Sequence, residues 1–78
     1  MSEFPSVRAT EFVRVIERLG FRLDGQRGSH AIFTHPVTMK RVVVAMHSGK
    51  DLKKNTLAGM LKDVGLERDE FLSLLKGS

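Results

Sequence analysis

Cysteine is absent from this 78-residue chain, which removes both a disulfide framework and thiolate ligation of a metal. Small secreted domains usually lean on disulfides, so a reducing, cytoplasmic setting is expected. Long apolar runs are missing as well. The longest, Val42 to Met46, falls far short of the roughly 20 residues that a membrane helix needs. The opening residues MSEFPSVR contain no apolar stretch of the kind found in a secretory signal. No membrane partner is expected.

Other absences narrow the chemistry. Phosphate loops of the GxxxxGKS or GxGxxG kind do not occur, so nucleotide-dependent chemistry has no support. No glycine elbow surrounds a serine. Ser29 directly precedes His30, but neighbours along a strand face opposite ways, so one cannot deprotonate the other. His30 and His35 lie five apart and point to opposite faces of a regular strand, with no cysteine or carboxylate cluster to complete a site. Neither a metal nor another cofactor is expected. Repeats, low-complexity stretches and interdomain linkers are likewise missing, and the length suits one domain over residues 1–78. A domain of this size has a thin core and a net stability of roughly 4–12 kcal/mol.

What is present is a basic, folded composition. Hydrophobic residues make up 41% of the chain and charged residues 28%, the balance of a globule rather than a disordered tail. The net charge is +4 and unevenly spread. Between Arg22 and Lys54 seven cations (Arg22, Arg27, Lys40, Arg41, Lys50, Lys53, Lys54) stand against Asp24 and Asp51, a surplus of five, so the rest of the chain is slightly acidic. A central basic segment points to a polyanionic partner such as nucleic acid; the plain alternative is solubility.

Periodicity sets the order of elements. Phe12, Val15, Ile16 and Leu19 form one helical stripe over about Ala9 to Leu19, with Ser6 or Thr10 as cap and Gly20 as left-handed stop. Phe21 and Leu23 then alternate with Arg22 and Asp24 as a strand with one buried face. Gln26-Arg27-Gly28 predicts a turn, with Gly25 and Gly28 both able to take positive φ. A second strand runs over about Ser29 to Thr34, ending at His35-Pro36, and a third over Arg41 to Met46. After a polar connection, Leu57, Met60, Leu61 and Val64 mark a helix over about Asn55 to Val64, ended by Gly65. Phe71, Leu72 and Leu75 mark a last helix from about Arg68 to Leu75. The expected fold is α+β, ordered α-β-β-β-α plus a terminal helix, with helices on one face of a three-stranded antiparallel meander and the other face wet.

The phrase Gln26-Arg27-Gly28-Ser29-His30 carries the clearest chemistry. Gly28 lets a ligand's backbone come close, Arg27 offers a planar cationic fork to phosphate, and His30 emerges beside a basic turn. A free imidazole has a pKa of about 6.5 and so can accept or donate a proton near neutrality. RNA brings its own nucleophile, the 2′-hydroxyl. Its cleavage needs proton transfer and stabilisation of an anionic phosphorus centre, which one histidine and several cations can supply without a metal. Against this stand plainer readings. A strand histidine is often structural. His35 reads as a turn residue and His47 as a loop entrance. Lys50, Lys53 and Lys54 suit a solvated helix start. Phe12, Phe21, Phe33 and Phe71 read as core rather than a base-stacking platform, and Phe4 as frayed.

The whole pattern resembles the HicA (YcfA-like) family of small toxins from bacterial toxin–antitoxin pairs. The residues that carry the likeness are Leu19-Gly20-Phe21, Arg27-Gly28-Ser29-His30, His35-Pro36, His47, Gly49, Lys50, Leu52-Lys53, Thr56-Leu57, Val64-Gly65-Leu66 and Phe71-Leu72. The likeness spans about Val7 to Leu75. It implies a fold similar to a double-stranded-RNA-binding domain, a ribonuclease acting on messenger RNA, and neutralisation by a HicB-type antitoxin. The family's essential histidine corresponds to His30, with Gly28 and Ser29 beside it. Arg8-Ala9 stands where a Ser-Gly pair is frequent, and Lys54-Asn55 where Pro-Gly is. Both departures bear on capping more than on chemistry. The expectation is a metal-independent endoribonuclease with His30 as general acid or base and Arg27, Lys50, Lys53 and Lys54 on phosphates. The alternative is an RNA-binding module without catalysis.

Overall fold

The computed structural model describes residues 6–46 and 50–77, so Phe4, His47 and Gly49 lie outside the described residues. The elements run α1 (Ala9–Arg18), β1 (Arg22–Arg27), β2 (His30–Thr34), β3 (Arg41–Ala45), α2 (Lys54–Val64) and α3 (Arg68–Lys76). This is the expected α+β order. The strands form one sheet, β1-β2-β3, with both pairs antiparallel.

Strand alternation decides which side of the sheet meets the helices. Ala31 and Phe33 of β2, with Val42 and Val44 of β3, point inward and are buried. His30, Ile32 and Thr34, with Arg41, Val43 and Ala45, take the opposite parity and are exposed or half-buried. α1 and α2 pack over β3. They bring Phe12, Val15 and Ile16, and Leu57, Met60, Leu61 and Val64, into one core with the inward strand residues. α3 packs against α1 and α2, and its Phe71 ring lies 5.8 Å from that of Phe12, tilted by 38°. All four aromatics assigned to the core, Phe12, Phe21, Phe33 and Phe71, are buried there. Among the described residues the helical layer thus sits on one side of the sheet and leaves the other side open.

Three local expectations need correction. The cap of α1 is Arg8, not Ser6 or Thr10: Arg8 is extended, and its backbone N–H donates to Glu11 Oε1 at 2.9 Å. Tertiary pairing sets that start, because Arg8 forms a β-bridge with Asp51 and the Leu52 N–H donates to the Val7 carbonyl at 2.7 Å. β1 runs on to Arg27 and carries a bulge between Leu23 and Gly25. Gly25 therefore belongs to the strand, and of the two turn glycines only Gly28 has positive φ. Leu23, expected on a buried face, is 55% exposed. β1 is an edge strand on the far side of the sheet from β3, where the helices pack, so its inward side has little to cover it.

Candidate functional site

His30 owes its position to a two-residue turn. Gly28 and Ser29 connect Arg27 to His30, which pair directly across β1 and β2. Gly28 has φ +57°, a positive value that two-residue hairpin turns commonly give to glycine. The Ser29 carbonyl accepts the Met46 N–H at 2.6 Å, which ties the turn to the end of β3. Directly opposite strand residues hold their Cβ atoms about 5 Å apart, so Arg27 and His30 are neighbours on the open face. Both side chains are exposed. On its other flank His30 pairs with Ala45 of β3.

Beyond Ala45 the surface dips into a cleft of about 390 Å³ lined by Ala45, Lys50, Asp51, Leu52, Lys53 and Thr56. The backbone pairing of residues 7 and 8 with 51 and 52 holds the wall that carries Lys50 and Lys53. Lys53 is the N-cap residue of α2 and Lys54 its first residue. Arg27 thus flanks His30 on the β1 side, and Lys50 and Lys53 line a cleft together with Ala45, the β3 partner of His30. Lys54 lies on the helix, outside the cleft lining. Asp51 offsets part of the cationic charge; its ion pair with Arg8 spans 4.0 Å and both side chains are more than half exposed, so that pair contributes little.

The same open face carries two cations that strand alternation alone did not single out. Arg22 and Arg41 both pair with Thr34, one from each side. Knowing the register, and not only the alternation, is what brings residues 19 apart in sequence into one row. Between this row and the Arg27-His30-Ala45 row lies Gly25-Ile32-Val43. Among the described residues, no carboxylate pairs with Arg22, Arg27 or Arg41.

His35 is placed quite differently. Its Nε2 bonds the Leu19 carbonyl at 3.0 Å, and its Nδ1 accepts the Val37 and Thr38 N–H groups at 3.1 and 3.2 Å. Two donors at Nδ1 fix the proton on Nε2, so neither nitrogen is left for a substrate. The ring also meets Phe21 edge-on, with centroids 5.2 Å apart. The turn role expected for His35 holds, and it extends to fastening the end of α1 to the β2–β3 loop. Sequence reasoning missed that second half.

A family model described as the HicA toxin of bacterial toxin–antitoxin systems matches residues 9–66. The chain belongs to the HicA toxin family. It is thus a toxin of a toxin–antitoxin pair, for which the family implies an antitoxin partner. No curated protein matches it. Within this HicA-family chain the matched span covers α1 to α2 and includes every residue of the open face, whereas α3 lies beyond it. No helix among the described residues is long and apolar enough to cross a membrane.

Proposed function

We propose that this toxin is a metal-independent endoribonuclease that cleaves messenger RNA in the cytoplasm and so inhibits translation, with residues 1–78 acting as one domain. His30 transfers the proton, as general base toward the ribose 2′-hydroxyl or as general acid toward the leaving 5′-oxygen. The attacking oxygen forms a bond to phosphorus, the P–O5′ bond breaks, and the products carry a 2′,3′-cyclic phosphate and a 5′-hydroxyl. Arg27 engages the phosphate with its guanidinium fork. Lys50, Lys53 and Lys54 hold flanking phosphates, Gly28 lets the RNA backbone approach, and Ser29 supports the turn. A HicB-type antitoxin neutralises the enzyme.

The observation that carries this reading is an exposed histidine directly opposite an exposed arginine on a sheet face that no helix among the described residues covers. An imidazole sealed in the core would have no route to a ribose. The test is incubation of purified protein with end-labelled RNA in EDTA, followed by analysis of the product ends. Fragments ending in 2′,3′-cyclic phosphate are expected. RNA that is bound but stays intact would instead make the protein a non-catalytic RNA-binding module.

A further inference from the structure

The proposed chemistry uses one end of the open face; the other end has its own pair of cations. Arg22 and Arg41 flank Thr34 four residues along β2 from His30, which is about 14 Å at the strand rise. Between them Ile32 and Val43 offer an aliphatic strip, with Val43 44% exposed. Arg22 and Arg41 are exposed and, among the described residues, without a carboxylate partner. Cations on the same face as His30, left unneutralised by the protein, are complementary to a polyanion.

We infer that Arg22 and Arg41 form a second phosphate-binding row, and that the substrate is an unpaired RNA strand laid along β2, its bases resting on Ile32 and Val43 between that row and His30. The inference rests on the ribonuclease reading and adds the substrate class and two binding residues to it. Charge favours RNA: two rows of cations on one face, about 14 Å apart at the strand rise, suit the phosphates of a few nucleotides. Geometry favours a single strand. Apolar side chains reach base faces only where bases are unstacked, and a duplex keeps its faces inside the helix. An A-form duplex also holds each 2′-oxygen out of line with the leaving 5′-oxygen, whereas a loose strand can align them.

The experiment is fluorescence anisotropy with a labelled, unstructured RNA oligonucleotide and a perfect RNA duplex, using His30→Ala as the non-cleaving parent. Adding Arg22→Gln and Arg41→Gln together should weaken single-strand binding about tenfold. The slope of log affinity against log salt should shrink by about 1.4, the value for two lost phosphate contacts on a single strand. The parent should prefer the single strand to the duplex. Arg22→Lys with Arg41→Lys keeps both charges and should restore most of the salt slope, which separates charge loss from misfolding. A Gln pair that binds RNA like its parent overturns the inference, and so does a preference for the duplex. So does a Gln pair that loses only affinity for a poly-glutamate peptide, which would assign the face to an acidic protein segment. Failure of the two readings is distinguishable. If wild-type protein leaves RNA uncut while the arginine-dependent single-strand binding persists, the nuclease reading falls and the binding row stands. His30-dependent cleavage that ignores the Gln pair removes the binding row alone.

Discussion

Two histidines five residues apart meet opposite fates, and side-chain parity is the cause. His30 takes the outward parity of β2 and is exposed, whereas His35 turns inward against Phe21 and the Leu19 carbonyl. His35→Ala should therefore act on stability and not on chemistry. It removes the Leu19 contact and the acceptor for two backbone N–H groups, a loss of about 2 kcal/mol. The midpoint of thermal unfolding should fall by roughly 8–16 °C, with RNA cleavage at low temperature retained. Cleavage lost at a temperature where the variant is still folded would show that His35 takes part in the reaction. Gly20 is bound into the same arrangement: its φ is +104°, and a Cβ there would come within 2.8 Å of His35 Nε2.

At the level of elements, two glycines that share a positive φ separate structure from site. Gly28 and Gly65 both have positive φ, +57° and +79°, where any other L-residue costs about 1–2 kcal/mol. A Cβ at Gly28 meets nothing within 4 Å, and one at Gly65 meets only the movable end of Lys40. Gly28→Ala and Gly65→Ala should therefore lose similar stability in urea titrations. Only Gly28→Ala should also lower the cleavage rate, because its turn sets the Arg27–His30 pair and admits the RNA backbone. Equal loss of rate in both variants would deny the turn that role. The elements themselves were largely legible. The stripes of α1 and α2, the valines of β3 and the stop at Gly65 follow from local spacing, and the structure puts each where its pattern points. What spacing could not supply was pairing. Arg8 caps α1 because residues 7 and 8 are bonded to 51 and 52, and β1 extends through Gly25 because a bulge restores its register with β2. For the same reason the Gln-Arg-Gly-Ser-His phrase announced the candidate site, while Arg22 and Arg41 emerged only once the strands were paired.

For the molecule as a whole, α3 adds Phe71 to the small core although the family match ends at residue 66. Phe71 is fully buried against Phe12. Phe71→Ala should cost about 3–5 kcal/mol, a large part of the roughly 4–12 kcal/mol that a chain of this length commands. Urea unfolding should show the midpoint falling steeply or the cooperative transition vanishing. A shift below 1 kcal/mol would mean that α3 is an accessory to a core complete without it. With the helical layer intact, His30 stays exposed on the open face, and the proposed chemistry depends on that ring. Single-turnover cleavage of end-labelled RNA by wild-type and His30→Ala protein, both verified as folded by circular dichroism, measures this most directly. The expected result is a loss of about a hundredfold or more in the variant, the low end for removal of a general acid–base group. Cleavage by His30→Ala at the wild-type rate would contradict the assignment outright.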